Sequence, residues 1–140
     1  MIIDKQLQLC AAQAVTADAV STNVIDLGVA GRNLGAMGNL MIALSVDVAA
    51  DFTTGDETYT FIARNSAAAA LSSPKDVGSI TIAAADLTAG SLHYIPVTKT
   101  LLRYIGLYFD VGGTTPTGTF TAWLTTADHV ADTKAYPDSL

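Results

Sequence analysis

Apolar and polar residues alternate with period two along most of this chain. In GTFTAWLTT (118–126), Phe120, Ala122 and Leu124 share one face, while Thr119, Thr121, Trp123 and Thr125 share the other. Side chains alternate across a strand, so this is a half-buried strand with a threonine ladder on its second face. NLMIALSVDV puts Leu40, Ile42, Leu44, Val46 and Val48 on one side and Met41, Ala43, Ser45 and Asp47 on the other. ETYTFIAR separates Tyr59, Phe61 and Ala63 from Thr58, Thr60, Ile62 and Arg64. GSITIAAADL gives a strand with Ile80 and Ile82 inward, and SLHYIPV another, with Pro96 marking an edge or a strand end. LRYIGLYFDV carries the longest alternation, with Arg103, Ile105, Leu107, Phe109 and Val111 opposed to Tyr104, Gly106, Tyr108 and Asp110. TNVIDLG adds a short strand ended by Gly28.

Turn-forming stretches separate these runs, among them AADFTTGD and GGTTPTG. NSAAAALSSPKD (65–76) reads as a crossing loop holding a short helix at most, because Pro74 and the serines offset its alanines. The pattern predicts an all-β fold: a jelly-roll or immunoglobulin-like β-sandwich of about seven or eight antiparallel strands. One domain over 1–140 is expected, with an extended N-terminal arm over about 1–20 and a tail over about 127–140. A chain of 140 residues buries roughly two-thirds of its unfolded surface, enough for a core without metal or disulfide.

Composition narrows the function. Only 14% of residues are charged, against about 25% in an average soluble domain, so part of the surface is expected to be covered by a partner. Net charge is −6 and the seven basic residues are scattered, which argues against a nucleic-acid partner. MIIDKQLQLC does not read as a signal peptide, and apolar runs such as LMIAL (40–44) are too short to span a bilayer, so no membrane partner is expected.

No catalytic constellation emerges. Gly28, Gly31, Gly35 and Gly38 lack the spacing of a dinucleotide-binding loop. His93 and His129 stand alone, and Cys10 reads as a small apolar residue. The run DVAADFTTGDE supplies Asp47, Asp51, Asp56 and Glu57, but without the alternating aspartates of a calcium loop; solvated turn aspartates account for it. Neither enzyme activity, cofactor nor metal is expected. What remains is surface. Tyr104, Tyr108 and Trp123 bring large area at low entropy cost, as binding residues do. The tyrosines read equally as edge caps or as an interface, and Trp123 as an interface.

The first 28 residues carry a resemblance. Met1, Ile2, Asp4, Gln6 and Leu7, then Gln13–Ala14–Val15–Thr16, then STNVIDLG (21–28), resemble the opening of capsid cement proteins of short-tailed bacteriophages. LSSP (71–74), AAADLTAG (83–90) and RYIGLYFDVGG (103–113) continue the similarity, with Gly106 standing where that family has a longer residue. The resemblance implies a jelly-roll virion protein on the outer surface of the capsid, made in the host bacterial cytoplasm. It would cement junctions between subunits of the major capsid protein. A homodimer is expected, closed two-fold contacts being commonest, with a trimer as the alternative. Met1, Ile2, Ile3 and Leu7 of the apolar arm, with Tyr104, Tyr108 and Trp123, are the expected capsid or protomer contacts. A jelly-roll carbohydrate-binding or host-attachment module is the competing reading, with the same aromatics stacking on sugar rings.

Overall fold

The computed structural model describes residues 5–31, 40–98, 100 and 102–126. Met1, Ile2 and Ile3, most of the glycine-rich loop and the tail over 127–140 lie outside the described residues. Among the described residues nine strands form: β1 (Gln8–Val15), β2 (Ala19–Val20), β3 (Ile25–Asp26), β4 (Leu40–Val48), β5 (Thr58–Ser66), β6 (Lys75–Ile82), β7 (Leu92–Pro96), β8 (Tyr104–Gly112) and β9 (Gly118–Thr126). One sheet has the order β1-β9-β4-β7; the other has β2-β8-β5-β6, with β3 also on β8. Every pairing is antiparallel. The chain therefore crosses between sheets at every connection except β2–β3, which stays beside β8, and the β5–β6 hairpin. This is a β-sandwich, as the alternation predicts, with the jelly-roll strand order, one of its two expected forms.

The predicted inward faces meet between the sheets. Phe120 comes from one sheet, Phe61 and Phe109 from the other. Phe61 meets the two others edge-on, with centroids 5.9 and 5.2 Å away, and Phe109 stacks on Phe120 at 5.7 Å. Such pairs add about 0.5–1.5 kcal/mol each beyond the area they bury. Leu40, Ile42, Leu44 and Val46 are buried as expected, but Val48 is 58% exposed. A register shift between Val46 and Val48 breaks the alternation there.

The sandwich begins inside the span expected to be an N-terminal arm (about 1–20). Residues 8–15 are β1, paired with β9, and residues 19–20 pair with β8. Period two concealed β1 because register shifts follow Gln8 and Cys10, and Ala12 adopts φ 48°. The freed Ala12 N–H donates to Thr121 Oγ1 (2.9 Å), and that hydroxyl donates to Asp47 Oδ2 (2.6 Å). The threonine ladder thus supplies hydrogen bonds to an irregular neighbour.

β2 and β3 occupy one position beside β8, interrupted where the chain turns aside to bond β1. Asn23 N–H reaches the Leu9 carbonyl (2.8 Å), and Asn23 Nδ2 reaches that of Gln8 (2.7 Å). Ser21 N–H bonds the Leu107 carbonyl (2.7 Å), while Leu107 N–H bonds Ser21 Oγ (3.1 Å). The sandwich is latched along this edge. On the opposite edge Thr98 N–H bonds the Val77 carbonyl (2.8 Å), and Gly78 packs so closely on β7 that a Cβ there would lie 1.7 Å from the Pro96 oxygen.

Candidate interaction surfaces

The two tyrosines and the tryptophan do not share a surface. β8 directs Ile105, Leu107, Phe109 and Val111 into the core, so Tyr104 and Tyr108 stand half-buried on the outside of the five-stranded sheet. Trp123 opposes Gln8 and Ala43, on the outside of the other sheet. It is only 5% exposed, and Ala43 beside it is completely buried. Trp123, expected at an interface, thus does not protrude from the sheet. Its Nε1 is buried, with no hydrogen-bond acceptor among the described residues. Leu7 sits in the 3-10 turn Lys5–Leu7 that leads into β1, 37% exposed.

The tyrosine face has hot-spot composition. The Arg64 guanidinium lies 3.7 Å above the Tyr108 ring while its Nε bonds Asp76 (3.0 Å). The Arg103 guanidinium lies 5.2 Å from the Tyr104 ring and grips Asp26 through two bonds of 2.8 and 2.9 Å. That grip, with the Gly28 N–H, holds the Asp26 carboxyl at about 2. Between the tyrosines the buried Leu71 lies over Gly106; a Cβ at Gly106 would come 2.5 Å from Leu71 Cδ1. Glycine here makes room for the Leu71 side chain. Tyr and Arg side chains held in this way are already ordered, a state that lowers the entropy any binding surface loses.

Reactive chemistry is weakly represented. Ser91 Oγ lies 3.1 Å from His93 Nε2, but the hydroxyl lies 2.7 Å from the Thr88 carbonyl as its donor, so its proton points away from the imidazole. A serine poised for nucleophilic attack would donate to its base. Burial pushes the Cys10 thiol up to about 12, far from a reactive thiolate. In the acidic loop the Thr54 hydroxyl bonds both Asp56 and Glu57, and Thr114 bonds Asp56 again (2.9 Å). These bonds hold both carboxyls below their usual range, the Thr54 hydroxyl contributing most. Among the described residues no group of three or more His, Cys, Asp or Glu could hold a metal ion. A shallow groove of ≈ 310 Å³ lies between β1 and the β2–β3 crossing, lined by Lys5, Gln8 and Asn23 among others.

The motifs behind the family resemblance do structural work. Gln13 bonds the backbone of Val20 and Thr22; Ser21 and Asn23 form the latch; Asp26 holds Arg103. The sequence could not show this, because each partner lies in another strand or crossing, from 7 to 86 residues along the chain.

No curated protein matches the chain. Among solved structures it is similar to the crystal structure of PirA, with a TM-score of 0.46 and 8% identity over 81% of this chain and 93% of that one. The family model Bbp16 matches residues 9–124. The match spans β1 to β9, nearly the whole sandwich, and this chain therefore belongs to the Bbp16 family, a phage-associated protein family.

Proposed function

We propose that this protein is a structural component of the phage virion. It binds the outside of the head and cements junctions between major capsid subunits, as a homo-oligomer. The observation that carries the reading is membership of a phage-associated family, to which the N-terminal resemblance adds the capsid role. The architecture is consistent with it. A sandwich latched along both edges resists shear, and its low charge suits a lasting interface. Many copies on one shell add their modest contacts through multivalency. The carbohydrate reading gains nothing from the geometry, because Trp123 is buried and Arg64 already covers one face of the Tyr108 ring.

The test is co-sedimentation of the purified chain with empty heads, beside its mass in solution. Saturable binding at a fixed number of copies per head is expected. Absence of binding to heads, with saturable binding to a host polysaccharide, would replace the cement role with the carbohydrate one.

A further inference from the structure

Strand order segregates charge. Register places the ends of β4, β6 and β8 and the starts of β5, β7 and β9 at one end of the sandwich. Asp18, Asp51, Asp56, Glu57, Asp86 and Asp110 gather at this end, whereas the described Lys and Arg residues, Lys5, Arg64, Lys75 and Arg103, lie toward the other. Arg64 and Arg103 are moreover committed to Asp76 and Asp26.

The acidic end also carries the most exposed large apolar residues apart from Val29: Val48 at 58% and Phe52 at 55%. Phe52 is held out on a pinned loop. Ala50 N–H bonds the Leu87 carbonyl (3.0 Å), Asp51 N–H bonds that of Thr117 (2.9 Å), and the Phe52 carbonyl accepts from Gly55 (3.1 Å). The Tyr59 hydroxyl, rising from the core, donates to the Asp51 carbonyl (2.7 Å). A phenylalanine fixed in water costs free energy that only a partner recovers.

We infer that Phe52 and its acidic surround form a docking end for a protein surface that offers an apolar recess bordered by Lys and Arg. Charge complementarity selects this partner. Asp18, Asp51, Asp56 and Glu57 bond hydroxyl and amide groups and no described cation, so their charge is not neutralised there, and with the exposed Asp86 and Asp110 they repel nucleic acid and anionic membrane. Resting on the head-binding reading above, the partner is the capsid subunit.

The experiment compares the wild-type chain with Phe52→Ser and with the double variant Asp86→Lys, Asp110→Lys, all at solvent-exposed positions. Each is titrated onto empty heads at low and high salt, and each free protein is melted. Both variants should keep the wild-type melting profile and weaken binding about 10- to 100-fold, the range of a hot-spot loss, and wild-type binding should weaken as salt rises. Wild-type binding matched within about twofold by both variants would overturn the docking end alone, since a hot-spot loss is at least about tenfold. Failure of the wild-type chain to bind heads would overturn the head-binding reading and the partner named here.

Discussion

Trp123 shows how one residue can be placed correctly on a face and misjudged in its exposure. Alternation puts it among the threonines, and it is there. Yet position on an outer face does not set exposure: Trp123 is 5% exposed, and the small Ala43 opposite it leaves space for the ring. The indole N–H gains nothing from this position, because a buried donor without an acceptor costs about 1–3 kcal/mol. Trp123→Phe, which keeps an aromatic ring and removes the donor, should change stability by less than about 1 kcal/mol, whereas Trp123→Ala should cost about 3–5 kcal/mol. Urea unfolding of the two variants checks this. Equal losses would show that the N–H is satisfied and that the ring contributes by hydrogen bonding. Gly106 teaches the converse: its missing side chain has meaning only because Leu71, distant in sequence, arrives above it.

At the scale of the element, regular strands were legible and irregular ones were not. β4, β5 and β9 obey period two and fell on the predicted faces until a bulge turned Val48 outward. β1 has two register shifts and an Ala12 in the left-handed region, so no alternation survives to be read. The alanines over 67–70 form turns and no helix, in keeping with the short-helix limit set by Pro74 and the serines. β1 starts at Gln8, and none of its ladder pairs with β9 or its latch bonds to Asn23 uses residues 1–7. Deleting those residues should leave the melting temperature within a few degrees of wild type and weaken attachment to heads. Full head occupancy by the truncated chain would remove the clamp role given to Met1, Ile2, Ile3 and Leu7.

For the whole molecule, net charge concealed a polarity. The value of −6 describes a uniformly acidic protein, but the fold gathers carboxylates at one end and most described cations at the other. Some of these carboxylates stabilise the native state in a pH-dependent way. Asp26, Asp56 and Glu57 have folded values below their unfolded ones, so their contribution is complete above the ordinary carboxylate range. It is lost as pH falls through the folded values, which for Asp26 means down to about 2. The urea midpoint should therefore hold steady from neutrality to about pH 5 and fall steeply below about pH 4. Asp26→Asn should make that fall shallower; an unchanged acid profile would show that the Arg103 grip contributes nothing in solution.

Sequence alone determined the class of this fold, the inward residues of its regular strands and the absence of a recognisable catalytic motif, because those depend on spacing within a few residues. Tertiary structure decided which aromatics lie on which sheet, where the bulges fall, what the N-terminal motifs hold and where charge collects. Each of these depends on partners such as Cys10 and Phe120, 110 residues apart, that only strand order brings together.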